Sequence, residues 1–251
     1  MKKVVAKKAK GNKVSEEKVQ NKFVQKITPK QITTVGERST MPYIAKSDLI
    51  VPRIQLMQAM SDKVAKDGSA KAGELRENLV NDMIADVGEK VTVVPVHART
   101  IWLLTEERQV GKKVDRTFKG IEELTPENEM SPFEEELEDG GKLVRTKQIE
   151  VYCLLESDPT MPFIVSFAKT SLRAGKKMLT QMYMKNQASG LDPSGAKMWI
   201  ASKQEQGDQG AYYVMDVGFS GLSKNDEVLT ALKWYKSITS GQVKVSESSH
   251  D

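Results

Sequence analysis

The chain has 251 residues, of which 39% are hydrophobic, a low share for a uniformly compact protein, so a core domain with extensions is expected. Its formal charge of +4 is unevenly placed, because residues 1–30 carry ten Lys against Glu16 and Glu17, a local +8 that leaves −4 for residues 31–251. One cysteine, Cys153, and two histidines, His97 and His250, exclude an internal disulfide and a Cys- or His-based metal centre, and the lack of an eighteen-residue apolar run or an apolar leader predicts a soluble, intracellular protein without a membrane partner.

Residues 1–40 are rich in Lys, Gln, Thr and Ser without sustained periodicity, which predicts a disordered basic arm able to attract polyanions. A single domain is expected over 41–239. It opens on a short strand at 53–58, with Pro52 at its start where a missing N–H costs no ladder bond. Residues 61–74 read as a loop and 75–88 as a short helix or a turn. Val91 to Leu104 is a long strand, broken or bulged between Pro95 and Ala98, and residues 105–117 are polar and cationic. Residues 121–141 hold nine carboxylates and no Lys or Arg, and with the two residues before them form an acidic insertion at about 119–141, exposed because like charges repel.

Strand alternation resumes over 143–155, with Ile149, Val151, Cys153 and Leu155 on one face, Cys153 being an ordinary buried thiol. After a turn at 156–161, Phe163, Val165 and Phe167 alternate in a further strand. A helix follows, capped by Thr170 or Ser171. Leu172, Gly175, Met178, Leu179 and Met182 lie on one side of it and Lys169, Arg173, Lys176 and Lys177 on nearly the opposite one. Strands at 197–202 and 211–219 are joined by a hairpin connection at 204–210. A last helix, capped by Ser223 or Asn225, carries Val228, Leu229, Leu232 and Tyr235 along one side, and a flexible polar tail occupies 240–251.

The order strand, acidic insertion, strand, strand, helix, strand, strand, helix predicts a mainly β, α+β fold. It matches an OB-like five-stranded barrel with a helix between strands 3 and 4, a plain antiparallel sheet with a covering helix being the alternative. No phosphate-loop, GxSxG or HExxH pattern occurs, so no enzyme, cofactor or metal is expected, and Asp216 is the one strand aspartate a nuclease would use. What remains is a binding surface. Single strands are held by cations along phosphates and by rings stacked on bases, each ring contributing about 1–3 kcal/mol. The strand cations Arg53, Arg99, Arg145 and Lys147, the helix cations Lys169, Arg173, Lys176 and Lys177, and the outward rings Tyr152, Trp199 and Tyr212 are the candidates. Phe163, Phe167 and Tyr213 are assigned to the core.

Three blocks, VPRIQLMQ at 51–58, AKAGEL at 70–75 and MPFIVSFAKTSLRAGKK at 161–177, resemble a widespread group of bacteriophage proteins similar to single-stranded DNA-binding proteins of phage replication. The resemblance covers about residues 50–238. It implies coating of single-stranded DNA in replication or recombination, in the cytoplasm of the infected host beside phage replication proteins, with Arg53, Lys169, Arg173, Lys176 and Lys177 as the matched contacts. The terminal SESSHD departs from the strongly acidic tail of many such binders. The alternative is a virion or host-directed interaction protein that works through its acidic insertion and basic arm.

Overall fold

A computed structural model describes residues 50–189, 193–208 and 210–241; the basic arm at 1–40 and nearly all of the polar tail lie outside the described residues. In chain order the elements are β1 (Arg53–Leu56), α1 (Asp62–Ala65), β2 (Leu75–Glu77), β3 (Met83–Ala85), β4 (Val91–Val110), β5 (Lys113–Glu123), β6 (Glu134–Glu136), β7 (Lys142–Leu155) and β8 (Pro162–Ala168). A 3₁₀ turn at Lys169–Ser171 leads into α2 (Leu172–Ser189), followed by β9 (Ala196–Gly207), β10 (Gly210–Leu222) and α3 (Asn225–Thr239).

The strands form one open sheet of ten in the order β10-β9-β4-β7-β8-β1-β2-β3, with β5 added beside β4 and β6 beside β7. This overturns the five-stranded OB-like barrel. It also departs from the plain antiparallel alternative, because β1 runs parallel to β8. The strands that the sequence reading misses have physical reasons for being missed. Leu75, Leu79 and Met83 recur at helical spacing, yet the chain turns between β2 and β3, where the Glu77 carboxylate accepts the N–H groups of Leu79 and Val80 and Asn81 sits at φ 65°. β5 is largely exposed and so shows no apolar alternation. It is held by its ladder to β4 and by cross-strand ion pairs such as Arg116 to Glu107 at 2.8 Å.

The two long strands, β4 and β7, form the spine. Their register shifts between Pro95 and His97, which places the predicted irregularity as a bulge within one continuous strand. Successive residues of β7 face opposite sides of the sheet, and each side has its own helix. Ile149, Val151 and the fully buried Cys153 share a face with Phe167, Met198 and Val217, against which α2 lays Ala174, Met178 and Met182. Burial pushes the Cys153 thiol up to about 12. Tyr152 and Leu154 share the other face with Val94 and Ile164, where α3 packs Ala231, Trp234 and Ile238.

The helix faces are partly as expected. In α2 the apolar and cationic sides separate as read, and Gly175 is required by contact, since a Cβ there would lie 2.7 Å from the Cβ of Phe167. The Oγ of Ser171, just before α2, accepts the N–H of Met215 at 3.1 Å. In α3 the inward stripe runs through Ala231, Trp234 and Ile238, whereas Leu229 and Tyr235 are exposed. Lys224, rather than Ser223 or Asn225, stands at its N-cap, and its N–H is taken by the Glu227 carboxylate at 2.6 Å.

Two further contacts shape the sheet. β10 and β1 are five places apart, about 24 Å in a flat sheet at 4.8 Å per strand. Nevertheless Gln58, just past β1, donates from Nε2 to the Tyr213 carbonyl at 2.8 Å and accepts the Tyr213 N–H at 3.2 Å. The sheet therefore curls around α2 without closing. On the opposite face Glu150, fully buried, accepts Nη1 of Arg53 at 2.6 Å and Nε of Arg99 at 2.8 Å, and Gln148 Nε2 donates to it at 3.1 Å.

Burial alone would push the Glu150 carboxyl up, but the guanidinium groups of Arg53 and Arg99 hold it below the usual carboxylate range. Its charged form therefore stabilises the fold above the unfolded-state pKa, and that contribution fades as pH falls through the depressed folded value. Glu150→Gln, which leaves the buried Arg53 and the partly buried Arg99 short of a partner, is expected to cost about 3–5 kcal/mol near neutral pH. Urea denaturation of both proteins between pH 7 and pH 3 checks this: the gap should narrow toward the acid end.

Candidate nucleic-acid interface

The curl leaves a groove of about 1030 Å³ between the β1 to α1 segment, the β8 to α2 junction and the start of β10. Lys63, Ser166, Lys169, Thr170, Tyr212 and Tyr213 are among its lining residues. Most lie at or near the ends of elements, where side chains reach a rim rather than a layered core. At its end nearest the sheet lies Arg53, 3% exposed, whose Nη1 also donates to Ser166 Oγ at 2.9 Å. Its Nε and Nη2 find no hydrogen-bond partner among the described residues.

Lys169 has the unusual backbone of the site. Its φ of 48° is left-handed, a conformation that costs an L-residue with a side chain and that glycine would take without penalty. The residue is exposed and in no ion pair among the described residues. It lies where the chain leaves β8 for α2, so the strained geometry sets the lysine at the mouth of the groove. Arg173 and Lys176 continue the same flank of α2 at roughly one-turn intervals, about 4.5–6 Å apart along the axis, again exposed and in no ion pair among the described residues.

The structure sorts the remaining candidates differently. Tyr152 is 1% exposed, its hydroxyl pushed up to about 12 by burial, so it is a core ring and not a stacking surface. Its pairing with Glu150 on the less apolar face misled the sequence reading, because Glu150 is itself buried by two arginines. Those arginines, Arg53 and Arg99, are committed to that carboxylate. Arg99 also approaches Glu123 at 3.6 Å. Arg145 and Lys147 are paired with the acidic insertion, through Glu135 at 2.9 Å and Glu129 at 3.7 Å. Lys177 bonds Asp216 at 2.9 Å. Burial pushes the Asp216 carboxyl up, but this bond and the Val217 N–H bring it below its ordinary value, so it is engaged in structure rather than poised for chemistry.

Of the two other rings, Trp199 is partly exposed on the α3 side of the sheet. It lies flat over Gly218, where a Cβ would come within 2.5 Å of the indole, and the Lys90 ammonium covers it at 4.4 Å from the ring centroid. Tyr212 is partly exposed in the groove and packs over Gly207. Tyr213, which strand alternation assigns to the core, stands in the groove wall against Gly73. The signal available for it was that glycine within AKAGEL, since a Cβ there would lie 2.5 Å from the tyrosine ring. The structure thus places Lys169 and Tyr212 in the lining of one groove, with Arg173 and Lys176 following Lys169 along α2, and disperses the other candidates. Among the described residues no three His, Cys, Asp or Glu side chains converge as a metal-ion set.

Comparison with known proteins then adds a family. A family model described as Pam3 phage gp34-like protein matches residues 15–244. The chain belongs to the Pam3 phage gp34-like family. No curated protein and no solved structure matches it. The resemblance to phage proteins therefore stands at the level of a phage family, whose description names no ligand. Among the described residues no helix of this family member is long and apolar enough to cross a membrane.

Because Lys169 is exposed and left-handed, Lys169→Gly should leave thermal stability intact or raise it, by up to about 1 kcal/mol. A melting curve checks this, and a clear loss would show that the side chain is a structural prop.

Proposed function

We propose that the protein binds single-stranded DNA with little sequence preference, as a non-enzymatic component of phage replication or recombination in the infected cell. The observation that carries the reading is the flank Lys169, Arg173 and Lys176, in no ion pair among the described residues, which starts at a groove lined by Tyr212 and Tyr213. On the β4 to β7 side of the molecule, most cations are matched by carboxylates a few ångströms away. On this flank they are not. An unpaired row at one-turn intervals suits a ligand with repeated negative charge, and two tyrosines at the same edge suit one with flat, stackable faces. The partly exposed rings favour a single strand over a duplex, whose bases already stack on one another.

A second reading, a virion or host-directed interaction protein working through residues 121–141, draws support from Met130 and Phe133, which are 89% and 66% exposed on that segment. It predicts a partner whose binding survives reversal of the α2 charges.

Three phosphates neutralised by the flank give a slope of roughly −2 in log affinity against log salt, from about −0.7 per phosphate. Fluorescence anisotropy of labelled oligo-dT over a salt series measures it. Arg173→Gln with Lys176→Gln should flatten the slope by roughly 1.4, and Lys169→Gly should weaken binding while the fold stays intact. Absence of any oligo-dT binding at low salt would sink the proposal and favour the second reading.

A further inference from the structure

We propose that residues 124–133, between β5 and β6, form a displaceable acidic strap over a second nucleic-acid contact surface made of Trp102, Arg145 and Lys147. The inference rests on the single-stranded DNA reading above and adds a site to it.

Trp102 is 1% exposed although it lies where β4 has left both helices behind. The strap is what seals it. Trp102 Nε1 donates to the Asn128 carbonyl at 3.1 Å, and the Phe133 ring stands edge-on to the indole, 5.7 Å between centroids at 84°. Lys147 Nζ lies 5.8 Å from the indole centroid and is paired with Glu129. Arg145 is paired with Glu135, donates to the Pro132 carbonyl at 3.2 Å, and has an Nε without a partner among the described residues. A ring flanked by two cations is the combination that holds a base and its phosphates. Here the place of phosphate is taken by two carboxylates.

The cover is fastened mainly at its ends. The Leu124 N–H donates to the Thr100 carbonyl at 2.9 Å and the Phe133 carbonyl accepts the Arg145 N–H at 2.7 Å, whereas the stretch between contains Pro126 and Pro132, no helix or strand, and backbone turns around Asn128. The carboxylates of Glu129 on the strap and of Glu135 on the adjoining β6 are half exposed or more, so their ion pairs are weak and screened by salt. Phe133 buries little of itself while covering Trp102. A permanent small core would be expected to bury both rings.

The test uses the full chain and labelled oligo-dT at low salt. Glu129→Gln with Glu135→Gln removes the phosphate mimics. The control, Glu136→Gln with Glu138→Gln, removes the same charge from carboxylates that are in no ion pair among the described residues. The first pair should tighten binding on the order of fivefold, the scale of an exposed ion pair released, with much less from the control. Adding Lys147→Gln to the first pair should abolish the gain. Equal gains from both pairs, or wild-type binding that the first pair does not change, would overturn the strap and leave the groove standing. No binding by any variant would remove both.

Discussion

One buried carboxylate holds together the strands behind the groove. β1 has four residues and joins the long strands only through a short parallel pairing with β8, the three-residue β2 lying on its other side, too little ladder to fix its position on its own. Arg53 ties it to Glu150 on β7, and Arg99 ties the same carboxylate to β4, so three strands share one charge. Such a cluster contributes little net stability compared with a well-packed apolar one, but it tolerates only one register of β1. From β1 the chain passes to Gln58, whose amide holds the backbone of Tyr213. The groove exists because this sequence of attachments bends the sheet.

The charged residues fall into two populations with different physics. Along the far half of β4, with β5, β6 and β7, opposite charges face each other across strands: Glu107 with Arg116, Glu134 with Lys142, Glu135 with Arg145, and Glu106 with Lys119, while Arg108 pairs with Glu106 along β4 itself. Here the charges replace an apolar face as the partners that keep an exposed ribbon in register. On the flank of α2 Lys177 is paired with Asp216, but Lys169, Arg173 and Lys176 are in no ion pair among the described residues. At roughly one-turn spacing their like charges repel, so the fold gains nothing from them.

Lys169 connects these two themes. Its left-handed backbone lets β8 end and α2 begin within three residues, so that α2 can cross back over Phe167, with Gly175 allowing the close approach. Glycine would make that reversal at less cost. A lysine at this corner adds a charge to the groove mouth that no other residue of the junction supplies.

Read by itself, the sequence determined what depends on neighbours along the chain: the alternation of β7 and β8, the bulge near Pro95, the two-sided α2 with its cationic flank, the burial of Cys153, and Tyr212 as a partly exposed ring. Local periodicity encodes these directly, because each side chain's face follows from its position within one element. Tertiary structure alone decided the rest. That Glu150 is buried, that Tyr152 lies beneath α3, that Tyr213 lines a groove, and that the acidic segment neutralises Arg145 and Lys147 all depend on residues far apart in sequence, the Arg53 to Glu150 contact spanning 97 positions. A charge looks solvated until its partner is found, and no periodicity within a single strand reports which distant strand carries the opposite sign.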